Sequence, residues 1–231
     1  MNLARALPAI VLLSTPSTAF SQQGTHALIP QDSLQRIVSA RVAAGRSTGL
    51  IVGVLSDDGA RRIASAGYER AGTPVDAHTL FEIGSITKAF TGIVLADMVL
   101  RGDVRLDQPV AELLPARVRI PSHGGKQVTL GDLASQVSGL PRLPSNMRPA
   151  DNANPYADYT VEQLYEFLSR HELRRDPGAQ YEYSNLGVGL LGHALALKAG
   201  KPYEQVVRER VLAPLGMTRT AIALDDGMRR R

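Results

Sequence analysis

Between Ser85 and Leu100 only two residues are charged, Lys88 and Asp97, and the rest are apolar, small or hydroxyl-bearing. The stretch reads as a helix closed by Arg101-Gly102-Asp103. A helix apolar on nearly all sides has no face to give to water, so it is expected to be central, with other elements around it. The 231 residues, 44% of them hydrophobic, suffice for one or two domains with a sizeable core.

The surrounding segments can be read by period and punctuation. Asp32 or Ser33 can cap a helix running to about Ala44, with Leu34, Ile37 and Val38 on one face. Gly49 to Leu55 is a continuous apolar run, expected as a strand buried on both faces. Asp57-Asp58-Gly59 supplies a turn, and Arg61 to Tyr68 reads as the returning strand of a hairpin. From Asp103 to about Asp176 the prolines at 109, 115, 121, 141, 144, 149 and 155 divide short helical pieces with long connections. Thr160 and Gln163 form a capping box ahead of Val161, Leu164, Tyr165 and Leu168, which follow helical spacing. After the Pro177-Gly178 turn, two helices are expected, Leu186 to Ala199 and Pro202 to Leu215, with Gly216 as the final stop.

Charge excludes one class of partner. The formal net charge is +4, but lysines occur only at 88, 126, 198 and 201, and the arginines are spread among 22 acids, except for the run Arg229-Arg230-Arg231. A nucleic-acid footprint would concentrate positive charge on one element with aromatics interleaved, so no nucleic-acid partner is expected. At the N-terminus, Arg5 precedes the apolar stretch Ala6 to Leu13, and Ala19-Phe20-Ser21 offers a small-residue cleavage site. Residues 1–21 therefore read as an export signal, too short to span a bilayer. With no cysteine there is neither a disulfide nor a lipidated cysteine. The expectation is a periplasmic or secreted bacterial protein without a stable membrane anchor.

Ser85-Ile86-Thr87-Lys88 carries the chemistry. Positions i and i+3 share a helical face, so the Lys88 amine can reach the Ser85 hydroxyl. A serine hydroxyl is a weak nucleophile that needs a neighbouring base, and a lysine is such a base only when uncharged. Burial and the positive end of a helix both favour the uncharged amine, and the helix start can aim the Ser85 N–H at a developing oxyanion. The histidines at 26, 78, 123, 171 and 193 have no metal-ligand spacing, so neither a metal nor another cofactor is expected. No Gly-x-Ser-x-Gly elbow occurs, and His123-Gly124-Gly125-Lys126 reads as a turn.

Tyr183-Ser184-Asn185 stands far downstream. With Phe81-Glu82-Ile83-Gly84 ahead of Ser85, with Ser138-Gly139-Leu140-Pro141 and with Leu212-Ala213-Pro214-Leu215-Gly216-Met217, it resembles the class C β-lactamase, penicillin-binding protein and family VIII esterase group over residues 32–224. The resemblance implies an α+β fold of the serine β-lactamase/DD-peptidase kind, an antiparallel sheet flanked by helices plus a helical domain. Residues 22–102 would hold the first part of the α/β domain with the nucleophile helix, 103–180 the helical domain, and 181–231 the second motif and the return to the α/β domain. It implies that Ser85 is acylated and that Lys88 takes its proton. Tyr183 would shuttle a proton to the leaving group, and Asn185 would hold Lys88 and bind the substrate amide. Which group is the base stays open.

The implied activity is hydrolysis of small β-lactams or related cell-wall amides through an acyl-enzyme. The alternatives are a D-alanyl-D-alanine carboxypeptidase, a short-chain carboxylesterase, a non-catalytic penicillin-binding module or an inactive fragment. The family's third motif, Lys-Thr-Gly or His-x-Gly on a strand, has no match; Lys198-Ala199-Gly200 lies between two helices, where Gly200 reads as a cap. A partial sequence lacking the C-terminal strands is therefore expected. That strand supplies one oxyanion donor in the family, and losing such a donor costs about a hundred- to a thousandfold in rate.

Overall fold

The computed structural model describes residues 28–70 and 72–229, so the expected export signal lies outside the described residues. The fold is α+β, in two compact units that divide between Thr79 and Leu80.

The first unit opens with helix α1, Gln31–Ala43, followed by strands β1, Gly49–Leu55, and β2, Arg61–Arg70. The strands pair antiparallel, from Gly49 opposite Gly67 to Leu55 opposite Arg61. Their turn forms because Asp58 Oδ1 accepts the Ala60 N–H at 2.9 Å while Gly59 takes the left-handed conformation. A short third strand, β3, Thr73–Pro74, pairs with β2. Gly67 has no room for a side chain, since a Cβ there would lie 2.1 Å from the Thr48 carbonyl oxygen.

Leu34 and Val38 of α1 pack on Ala64, with Leu50, Val52 and Val54 around them. The sheet thus has one face on the helix. Burial of β1 on both faces is not found, because alternate residues leave Gly53 and Leu55 exposed on the other side. Ile37, expected with Leu34 and Val38, is also exposed.

The second unit is mostly helical. A 3₁₀ turn, Gly84–Ile86, leads into α2, Thr87–Leu100. The hairpin of β4, Ser122–His123, and β5, Lys126–Gln127, turns on Gly124 and Gly125, both at positive φ, as the turn reading expects. Helices α3, Leu130–Ala134, and α4, Val161–Arg170, both begin with capping boxes, Thr129 with Asp132 and Thr160 with Gln163. On α4 the buried face is Leu164, Tyr165, Phe167 and Leu168, while Val161 is exposed.

The central helix is α5, Asn185–Ala199, and not α2. Leu186, Val188, Leu190, Leu191, Ala194 and Leu195 are all buried in the core of this unit, whereas α2 buries only Thr91, Val94, Leu95 and Met98. The other side of α2 carries Ala89, Gly92 and Ala96, which lose little by facing water, together with exposed Ile93 and Leu100. Glycine lets α5 pack closely on its neighbour: a Cβ on Gly192 would lie 3.0 Å from the Tyr203 ring. Gly200 closes the helix at φ 65°.

The last expected helix is shorter than its sequence pattern. Helix α6, Tyr203–Val207, passes into a π-helical turn, Arg208–Leu212. Pro214 follows, without an N–H and with a ring that crowds the carbonyl four residues back, so the α ladder cannot run on through it. The Ala213 N–H accordingly bonds the Arg208 carbonyl, five residues back. A short helix, α7, Asp226–Arg229, ends the described chain. No helix among the described residues is long and apolar enough to cross a membrane.

Candidate active site

The two charges on α2 go to different places. Asp97 pairs with Arg210 of the π turn at 2.5 Å, and that guanidinium, against a smaller desolvation penalty, holds its carboxyl below the usual range. Lys88 turns to the opposite end of the helix. It lies one turn after Ser85, as the i, i+3 spacing requires, and its Nζ donates to Ser85 Oγ at 3.2 Å.

A second segment meets this pair. Tyr183 Oη and Ser85 Oγ are 2.5 Å apart, and Asn185 Oδ1 accepts from Lys88 Nζ at 2.8 Å. All four sequence-predicted residues therefore converge. The reason lies in Ser184, the middle residue of the tripeptide, which is 1% exposed. Its hydroxyl accepts the Gly187 N–H at 2.8 Å, capping α5, and donates to the Pro141 carbonyl at 2.7 Å. With Ser184 turned inward as the cap, Tyr183 and Asn185 on either side are directed to Ser85 and Lys88.

The stretch 136–142 is the bed on which that cap rests. The Gln136 carbonyl accepts the Glu182 N–H at 2.7 Å, and Gln136 Oε1 accepts the Ser184 N–H at 2.6 Å. Tyr183 is thus bracketed by two bonds from one residue. Gln136 makes them at φ 63°, and it is the one non-glycine residue at positive φ among the described residues. The Arg142 carbonyl accepts from Asn185 N–H at 3.1 Å and Leu186 N–H at 3.2 Å. Ser138-Gly139-Leu140-Pro141 stood out in the sequence without a role; its role is to carry the second motif.

Sequence reasoning missed three residues here. Gln136 gave no signal because a left-handed glutamine leaves no mark in the sequence. Tyr156, in a proline-punctuated loop, has its hydroxyl 3.1 Å from Asn185 Nδ2, from which it accepts. Arg142 sets its guanidinium carbon 5.1 Å from the centre of the Tyr183 ring, while Lys88 Nζ is 4.8 Å from it. The Tyr183 phenol is held below its ordinary value, first by Lys88, next by its hydrogen bond with Ser85, and by Arg142 to a lesser degree.

The histidines take other work. His123 pairs with Asp176 at 2.6 Å, His193 bonds the Tyr165 hydroxyl at 2.7 Å, and His171 stacks on Phe167. None of these three is among the residues bonded to Ser85.

The family model described as Beta-lactamase matches residues 34–231. The chain is 32% identical over 219 residues to the D-alanyl-D-alanine-carboxypeptidase/endopeptidase AmpH of Escherichia coli (strain K12), covering 91% of this chain and 56% of that protein. Among solved structures it is similar to a β-lactamase/D-alanine carboxypeptidase from Yersinia pestis, with TM-score 0.74, 25% identity, and coverage of 87% of this chain and 57% of that one. It is also similar to the D-amino acid amidase of Ochrobactrum anthropi SV3, with TM-score 0.66, 29% identity, and coverage of 81% and 52%. The chain therefore spans little more than half the length of these relatives. Two motifs that meet at one serine, on a fold shared with these proteins and under a family model covering most of the sequence, lead to one statement of kinship: this chain belongs to the β-lactamase family.

Proposed function

We propose that the chain carries the acylation centre of a serine hydrolase, with Ser85 as nucleophile, acting on β-lactams or related cell-wall amides. The observation that carries this reading is the contact of Ser85 Oγ with Tyr183 Oη at 2.5 Å and with Lys88 Nζ at 3.2 Å. The AmpH and Yersinia pestis relatives, named for D-alanine carboxypeptidase activity, support the same substrate class.

The hydrogen-bond directions favour Tyr183 as the group that takes the serine proton. The Asn185 amide oxygen can only accept, so Lys88 donates to it, and Lys88 also donates to Ser85 Oγ. The Ser85 hydrogen is then free to point at Tyr183 Oη, whose phenol is already more acidic than usual. Deprotonated Tyr183 takes that proton as Ser85 Oγ attacks the carbonyl carbon, and the Ser85 N–H supplies one oxyanion donor. Collapse breaks the C–N bond, and the Tyr183 hydroxyl returns the proton to the departing nitrogen. The phenolate so restored takes a proton from water, and the resulting hydroxide attacks the acyl carbon. The bond to Ser85 Oγ breaks, and the Tyr183 hydroxyl returns the proton to Ser85 Oγ. Asn185 holds Lys88 in place and binds the substrate amide.

The second reading within the same chemistry is a short-chain carboxylesterase, since the same nucleophile can attack the carbonyl of an activated ester. Location in the periplasm or outside the cell is part of the proposal, supported by the apolar run Ala6–Leu13 and the Ala19-Phe20-Ser21 site. Intact-mass measurement after incubation with benzylpenicillin tests the central claim. A penicilloyl adduct is expected on the wild type and not on Ser85→Ala. Nitrocefin hydrolysis, D-alanine release and p-nitrophenyl butyrate cleavage separate the substrate classes. A folded wild type that forms no adduct and turns over none of the three overturns the reading.

A further inference from the structure

Two cations flank the Tyr183 ring, and only one is committed. Lys88 gives its protons to Ser85 and Asn185. The Arg142 guanidinium lies over the ring, exposed, and pairs with no carboxylate among the described residues. Its main chain is anchored, because its carbonyl receives the first two N–H groups of α5. The backbone is thus fixed while the guanidinium keeps its donors for a ligand, one side chain away from the nucleophile.

We propose that Arg142 is a specificity-determining residue whose guanidinium takes the carboxylate of an anionic substrate with its scissile carbonyl at Ser85. This rests on the reading of Ser85 as the nucleophile. A planar guanidinium can bind a carboxylate through two parallel N–H bonds, and it keeps its charge at every working pH. Lys88 already has two of its three donors on Ser85 and Asn185, and as a point charge it lacks the paired N–H geometry of a guanidinium. β-Lactams and peptides ending in D-alanine both carry a carboxylate a few bonds from the carbonyl that is attacked, and a p-nitrophenyl alkanoate carries none. Arg142 therefore biases the site toward the cell-wall amide class and away from neutral esters.

The test uses the whole chain with benzylpenicillin and its methyl ester, which share the reacting ring and differ in charge. Acylation rate constants are read by intact mass for wild type, Arg142→Gln and Arg142→Lys. The ratio of the acid's rate constant to the ester's is the readout, because any effect of Arg142 on the Tyr183 phenol applies to both substrates and cancels. The ratio is expected to fall about tenfold or more in Arg142→Gln, with partial recovery in Arg142→Lys. A ratio unchanged in Arg142→Gln overturns the proposal, even if both rates drop.

Equilibrium binding of benzylpenicillin to Ser85→Ala and to Ser85→Ala with Arg142→Gln, by ligand-observed NMR, addresses the subsite without chemistry. Weaker binding in the double variant supports the carboxylate contact even where no acyl-enzyme forms. Equal binding, or none to either, overturns it.

Discussion

Gln136 offers the sharpest check on how the site is held, because two effects of opposite sign meet in one residue. Its side chain accepts the N–H of Ser184, a residue 1% exposed, at 2.6 Å, and Gln136 itself is 9% exposed. In Gln136→Ala that N–H keeps its burial and loses its partner, which costs about 1–3 kcal/mol. The backbone stays at φ 63°, so the alanine inherits the strain of the left-handed region, about 1–2 kcal/mol for an L-residue. Gln136→Gly loses the same hydrogen bond but escapes the strain, at an added cost of about 0.5–1 kcal/mol in backbone freedom. Both variants should therefore be destabilised, with glycine the milder by roughly 0–1.5 kcal/mol on these figures.

At about 2–4 °C per kcal/mol for a domain of this size, the alanine variant should melt some 2–12 °C lower. The chain has no tryptophan, so far-UV circular dichroism is the probe, with amide hydrogen exchange at Ser184 as the local readout. The Ser184 amide should lose protection in both variants. An alanine variant with the wild-type midpoint and a protected Ser184 amide would refute the buried bond. A glycine variant clearly less stable than alanine would refute the strain.

The remaining expectations concern the cap and the proton. Ser184→Ala removes the N-cap acceptor of Gly187 N–H and the donor to the Pro141 carbonyl, and should cost about 1–2 kcal/mol by urea unfolding, together with a slower Ser85 acylation. The Tyr183 phenol is held below its ordinary value mainly by Lys88. Its deprotonated form is thus present at lower pH than in a free tyrosine, and acylation should rise with pH along a limb set below about 10. In Lys88→Met that cause is gone and the limb should move to higher pH, read from acylation rates between pH 6 and 10. A limb that stays put would assign the proton to another group.

Much of this protein was legible where the physics is local. The span of β1, the Asp58–Gly59 turn, the Thr160–Gln163 capping box and the left-handed Gly200 each depend on residues a few positions apart, and each is found. The reach of Lys88 to Ser85 belongs with them, because one helical turn sets it. The association of Tyr183 and Asn185 with that pair was legible only through the resemblance of two motifs, since no spacing rule joins segments so far apart in the chain.

What tertiary structure alone decided is which apolar surface meets which. α2 and α5 both read as apolar helices, but only α5 became central, Gly192 letting Tyr203 come close, while α2 kept its small residues outward. The left-handed Gln136, the inward Ser184 and the seat of the Arg142 guanidinium over the Tyr183 ring depend on partners brought from elsewhere in the chain. Sequence determined the local elements and the reach of Lys88 to Ser85, because hydrogen bonds within a turn need no other segment. The choice of core helix and the placing of Tyr183 and Arg142 waited on long-range packing, because burial is a property of two surfaces and one segment carries only its own.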